Sequence, residues 1–340
     1  MGRVVLVTGV SRDLGSRFAR LVAAEPSVDR VIGVDVVPPR GDMGDVRFIR
    51  ADIRNPVITK VIAGEEVDTV VHMSVIATPG NAGGRTSMKE LNVIGTMQLL
   101  AACQKAPGLK RLVVKSSTAV YGSSSRDPAM FTEDMAPKRL PRSGFAKDAL
   151  EVEGYVRGFA RRRPDVTVTM LRAANTVGPT VNSPMTQYFR LPVIPTVLGF
   201  DARLQFLHES DLLRALRHAT TAEVHGTFNV AGDGVVMLSQ AIRRLGRPAM
   251  PMPAFAVSSV SSLVRQARLA DFSPEQMAYL TFGRGVDTTR MRNILGFEPE
   301  FTTAAAFEDL HRAIGSGPIS PGRVAAVEGL VVGALGGDRG

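Results

Sequence analysis

The stretch Val4-Val5-Leu6-Val7-Thr8-Gly9-Val10-Ser11-Arg12-Asp13-Leu14-Gly15 decides how this chain folds. Its apolar run reads as a strand buried on both faces. The apolar spacing over residues 14–24 reads as an amphipathic helix. Gly9 permits the tight turn between the two, and Gly15 lets the helix pack close to the strand. Backbone N–H groups at such a helix start face an incoming phosphate, and the helix dipole favours negative charge there. Asp35 ends the next predicted strand, twenty positions after Gly15, where a carboxylate accepts hydrogen bonds from ribose hydroxyls. Loop, helix and acid together form a dinucleotide fingerprint, and Ser11, Arg12, Asp13 and Leu14 join Gly9, Gly15 and Asp35 as candidate cofactor residues.

Outward from that stretch, Val/Ile-rich runs alternate with amphipathic ones, which is the pattern of a parallel sheet with helices on both faces. Strands are predicted at 4–8, 31–35, 47–50, 69–72, 111–116 and 167–172, with the clearest helices at 14–24, 88–105 and 145–162. The expected fold is α/β: a doubly wound parallel-sheet domain over 1–178. A smaller mixed α/β substrate region over 179–315 follows, some of whose strands and helices return to the first domain, and then a Gly-rich tail over 316–340.

Composition narrows the function. With 44% hydrophobic and 21% charged residues among 340, the chain is globular rather than disordered. The net charge of +9 comes from scattered arginines; the one run, Arg161-Arg162-Arg163, reads as a solvated helix end rather than a nucleic-acid surface. A single cysteine, Cys103, excludes an internal disulfide, and five dispersed histidines give no metal-ligand spacing. No apolar run approaches the roughly 18 residues that span a bilayer, and the chain opens on a strand rather than a charged leader, so a cytoplasmic protein with no membrane partner is expected.

Further motifs follow in order: Asp52-Ile53, Val70 to Ser74 (VVHMS), Asn92 to Thr96 (NVIGT), Ser116 to Gly122 (SSTAVYG), Leu171 to Pro179 (LRAANTVGP), Gln205 to Asp211 (QFLHESD), Gly226 to Gly232 (GTFNVAG) and Leu295 to Pro299 (LGFEP). With the glycine loop they make the chain resemble the short-chain dehydrogenase/reductase superfamily, in particular its extended branch of NAD-dependent epimerases and dehydratases, over about 300 residues. The resemblance implies a Rossmann domain holding NAD, with Asp52, Ile53, Met73, Ser74, Asn92, Ser116, Lys147 and Ala174 added to the cofactor set. Asp35 disfavours a 2′-phosphate by charge repulsion, so NAD is expected, with NADP the alternative. The loop departs from the pattern: its middle glycine has become Arg12 or Asp13, depending on the spacing used. Arg12 could fold over the phosphates, or the two side chains could pair with each other or with solvent.

The same resemblance implies a catalytic tyrosine, a lysine four residues later on the same helix face, and a serine that orients the substrate. Ser117 matches the hydroxyl and Lys147 the lysine, which puts Ser143 at the tyrosine position. A phenol titrates near 10, within reach of a neighbouring ammonium, whereas an aliphatic alcohol titrates far higher, so Ser143 is a poor substitute. Phe145 lies roughly 200° further round the helix and Tyr155 about 18 Å along it. Tyr121 lies near the site by resemblance, and Tyr188 falls in the second region. Two readings stay open: an epimerase, dehydratase or oxidoreductase whose acid or base comes from elsewhere, and a silent nucleotide-binding sensor or structural protein. On the substrate side the resemblance points to Thr78, Ser117 and Asn175, on a sugar nucleotide or another hydroxyl or keto compound; Leu204, where an arginine would grip a diphosphate, favours the second. A homodimer through the helices bearing Asn92 and Lys147 is also implied.

Overall fold

The computed structural model describes residues 2–77, 83–141, 144–253 and 273–317. Thr78, Ser143 and nearly all of the 316–340 tail lie outside them. The opening stretch forms β1 (Arg3–Thr8), whose last four residues are buried, and α1 (Asp13–Ala23). Asp13 in the first turn of α1 and Arg20 in the last complement the helix dipole. Then come β2 (Val28–Asp35), β3 (Val46–Arg50), α2 (Val57–Gly64), β4 (Thr69–His72), α3 (Arg85–Lys89), α4 (Gly95–Gln104), β5 (Arg111–Ser117), α5 (Gly144–Arg162) and β6 (Thr167–Ala173). All six predicted strands are present, and β2 starts three residues earlier than its apolar core suggests.

These strands form one parallel sheet ordered β3-β2-β1-β4-β5-β6, extended by β11 (Gly226–Val230), which pairs with β6. The strand order reverses between β1 and β4, and in open α/β sheets ligands bind beyond the strand ends at such a reversal. One sheet face buries Val5, Val7 and Leu171 under Phe18 of α1 and Leu212 and Leu216 of α7 (Glu209–Thr221). The other buries Leu6, Ile32 and Val70 under Ile58, Leu99, Val156 and Phe159 of α2, α4 and α5.

The predicted helix 88–105 is interrupted. A π-helical turn over Glu90–Ile94 separates α3 from α4. It directs Asn92 at the backbone of Ile76, whose N–H donates to Oδ1 at 2.7 Å and whose carbonyl accepts from Nδ2 at 2.8 Å. Apolar periodicity does not register this one-residue expansion of the turn.

The second region comprises β7 (Asn175–Val177), α6 (Pro184–Arg190), β8 (Ile194–Val197), β9 (Arg203–Leu204), β10 (Phe206–His208), β12 (Val236–Met237), α8 (Leu238–Leu245), β13 (Ala249–Met252), α9 (Pro274–Phe282), α10 (Thr289–Asn293) and α11 (Thr303–Ile314). Three two-stranded pairs, β7 with β10, β9 with β12 and β8 with β13, surround a third core. That core holds Tyr188, Phe189, Phe206 and Phe307, with Phe189 edge-on to Phe307 at 5.1 Å.

Candidate active site

At the tip of β1, Gly9 takes φ +83, and a Cβ there would stand 3.1 Å from the Ser74 Cα. A Cβ on Gly15 would run into the Gly9 carbonyl oxygen. Both glycines are therefore fixed by close approach of backbone to backbone. Ser11 donates from its N–H and its Oγ to Asp35 Oδ2 at 3.0 and 2.6 Å, which anchors the loop to the end of β2. Asp13 does not pair with Arg12. It accepts from Arg17 and Thr180 at 3.3 and 3.1 Å, which draws its charge off the loop. Arg12 turns into the cleft, where it makes no hydrogen bond or ion pair with the described residues; burial pulls its pKa down, against the pull of Asp35.

The cleft has a volume of about 540 Å³, within the range of small-molecule sites, and runs from the glycine loop past the end of β5 to the second region. Arg12, Leu14, Ser116, Ser117, Ala174 and Asn175 of the expected residues line it. Alternation along β5 places Lys115 and Ser117 on one face and Ser116 on the other. Ser117 accepts from the Ala119 N–H at 3.1 Å. Ser116 donates to Glu153 on α5 at 2.7 Å, and Glu153 also takes two bonds from Arg172 at 2.9 and 2.7 Å.

Several expected residues lie elsewhere. Lys147 does not line the cleft: its side chain is 43% exposed and its Nζ lies 3.9 Å from Glu151. The inward face of α5 carries Phe145 and Ala146, which line the cleft, and Ala149, which is buried. Lys147 lies two positions after Phe145, and on a helix that step reverses the face. Tyr121 is core rather than cleft: it stacks on Phe131 at 4.6 Å, donates to Asn229 at 2.8 Å and accepts from Arg172 at 2.7 Å. Asn92 is fully buried on Ile76. Ile53 packs where a Cβ on Gly95 would fall, Met73 is core, and Asp52 is bound to Arg54 at 2.7 Å, which holds its carboxyl below the usual range. His72 is a satisfied core histidine, held between Thr8 and Thr96 at 2.9 and 2.8 Å. His208 likewise bonds Ser210 and Asp309.

Motif reading did not find the far wall of the cleft. There α9 and the strand-like segment after it bring Glu275, Tyr279 and Arg284. Glu275 accepts from the Ala146 N–H at 3.2 Å with one oxygen, while its other oxygen is buried without a partner. Burial pushes its carboxyl up, against the Ala146 N–H and Arg85. The Arg284 guanidinium lies 4.9 Å from the Tyr279 ring centroid and donates to the Gly122 carbonyl at 2.7 Å. The Tyr279 hydroxyl is buried without a well-formed hydrogen bond among the described residues. Burial pushes that phenol up, while Arg284 and Asn175 pull it down. A proline opening α9 after Ser273, which caps it, was the available sequence signal for the helix. Nothing local announces that it folds back onto α5.

The anchored glycine loop, an acid at the end of β2 and an inward arginine fit a dinucleotide, and comparison with known proteins agrees. Residues 5–231 match the model of the NAD dependent epimerase/dehydratase family. An uncharacterized protein of Mycobacterium tuberculosis is 51% identical over 336 residues, covering 97% of this chain and 89% of that protein. UDP-glucose 4-epimerase 2 of Oryza sativa subsp. japonica is 31% identical over 194 residues, 52% of this chain and 45% of the enzyme. Among solved structures, UDP-glucose 4-epimerase of Thermotoga maritima, with UDP-glucose, superposes with a TM-score of 0.69 at 17% identity, covering 91% of this chain and 98% of that one. UDP-glucuronic acid 4-epimerase of Bacillus cereus, with UDP-glucuronic acid and NAD, gives 0.69 at 17%, covering 92% and 98%. With two thirds of its length on the family model and the same sheet as these enzymes, the chain belongs to the NAD-dependent epimerase/dehydratase family.

Proposed function

We propose that the chain binds NAD and acts as an epimerase, dehydratase or oxidoreductase on a sugar nucleotide or another hydroxyl or keto compound. One observation carries the reading: a dinucleotide loop opens into a cleft lined by Ser117 and the Asn175 amide, whose far wall supplies a carboxyl, a phenol and a guanidinium. Gly9, Ser11 and Asp35 would hold the adenosine end and Arg12 the phosphates. NAD, when bound, supplies a reversible hydride acceptor. Ser117 would orient the substrate hydroxyl, Asn175 would bond a neighbouring oxygen, and the Tyr279 hydroxyl, short of a partner, is placed to give or take the proton. Asp35 favours NAD over NADP by charge.

A second reading, a silent nucleotide-binding protein, draws support from Phe145 in the cleft and Lys147 outside it. Titration of the purified chain with NADH, followed by incubation with nucleotide sugars and keto compounds and chromatographic analysis of the products, with NADH absorbance followed for net oxidation or reduction, separates the two. Tight binding without turnover of any compound would favour the silent protein. We further assign the chain to the cytoplasm as a homodimer through the helical stretches that bear Asn92 and Lys147, a state that light scattering on the eluted protein measures. No helix among the described residues is long and apolar enough to cross a membrane.

A further inference from the structure

Lys115 follows the apolar centre of β5, where Leu112, Val113 and Val114 are all fully buried. Its side chain is half-buried and opens into the cleft. Its ammonium makes no hydrogen bond or ion pair with the described residues, and the residue lines the cleft. The nearest charges do not offset it. Arg12, from the glycine loop, is a second cation acting on it, and burial together with Arg12 brings its amine down to about 8. His72, on the adjacent β4, is neutral, held to about 4 by burial and by Lys115 itself. Across the cleft stand Glu275, bonded to Ala146, and Arg284 over Tyr279. Two inward cations, neither in an ion pair among the described residues and only Arg12 under the pull of an anion, Asp35, therefore share a floor with the loop that fits a dinucleotide, while the helix lysine, Lys147, faces Glu151 and solvent.

We infer that Lys115, rather than Lys147, is the ammonium with which this cleft holds its dinucleotide, acting with Arg12 as a cationic pair for an anionic ligand. The inference rests on the NAD-binding reading given above. It names a strand residue, on the same face as Ser117, for a task that helix spacing assigns to α5.

The test is equilibrium binding of NADH, read by nicotinamide fluorescence, between pH 7 and 10. Loss of a charge-assisted hydrogen bond weakens binding by about 10- to 100-fold, and that loss is expected for Lys115→Met at pH 7. Lys147→Met should stay within about twofold of the parent. Because Lys115 loses its charge as pH rises through about 8, affinity of the parent chain should fall on the alkaline side. Glu275, Tyr279 and the arginines also line the cleft, and Lys115→Arg leaves all of them in place, so loss of the alkaline fall in that variant assigns it to Lys115. Lys115→Arg, charged throughout, should bind NADH with a flat profile, and it tests the same point should the methionine variant fold poorly. Parent-like binding by Lys115→Met, or an unchanged alkaline fall in Lys115→Arg, would overturn the inference alone. Absence of NADH binding by the parent chain would overturn the functional reading and the inference with it.

Discussion

Replacing Glu153 by leucine should destabilise the chain severely, because Glu153 anchors a buried polar cluster. Glu153 is fully buried on α5 and accepts from Ser116, from Arg172 through two nitrogens, and from Arg157 at 3.1 Å. Leucine fills a similar volume and leaves the Arg172 guanidinium, itself 9% exposed, without its counter-charge. Breaking such a pair from one side costs about 3–5 kcal/mol. A chain of 340 residues unfolds with an entropy of roughly 0.7 kcal/mol/K, so the melting temperature should fall by about 4–7 °C. Scanning calorimetry on the parent, Glu153→Leu, Arg172→Leu and the double variant completes the cycle. The double variant should fall short of the summed single losses by about 2–3 kcal/mol, since removing both partners leaves no orphaned charge. A loss under about 1 kcal/mol for Glu153→Leu, or strict additivity in the cycle, would refute the reasoning.

Other expectations follow from individual contacts. Gly15→Ala should cost about 1–3 kcal/mol by overpacking against the Gly9 carbonyl and abolish NADH binding, as melting and fluorescence titration would record. His72 titrates near 4 when folded and near 6.5 when unfolded, so below 6.5 the unfolded chain takes up a proton that the folded chain refuses. Its contribution, about 3 kcal/mol, is complete above pH 6.5 and lost as pH falls toward 4. Denaturation midpoints across that window should slope in the parent and less so in His72→Gln. Tyr279→Phe should lower turnover about 10²-fold while leaving NADH affinity unchanged, which steady-state rates and titration separate; unchanged turnover would remove Tyr279 from the chemistry.

Local chemistry made the nucleotide half of the protein readable. The glycine loop, Asp35 and the strands follow from short-range patterns, apolar runs and a forced positive φ at Gly9, while Ser117 was reachable only through the motif resemblance. Asn175 and Ala174 were reachable through motif order and do line the cleft. The helix lysine was not readable, because a two-residue shift on α5 turns a side chain to the opposite face. Motif spacing pointed to Lys147, whereas packing turned Phe145 inward. Lys115 did leave a signal in the sequence, a cation two residues before Ser117 and directly after an apolar run, and alternation alone would have placed both on one face. Glu275, Tyr279 and Arg284 left none. They reach α5 only through the tertiary course of the second region, more than a hundred positions along the chain.

The pairing of β11 with β6 has a consequence for how the chain can be divided. Between the two strands the backbone leaves the sheet, builds much of the second region, and returns to cover an edge. A fragment stopped at residue 178 would carry Thr167–Ala173 as an open border of apolar backbone, the kind of border along which sheets of neighbouring molecules zip together. Cutting at the apparent domain boundary should therefore yield precipitate rather than a nucleotide-binding module, and a well-behaved shortened chain must extend at least through Val230.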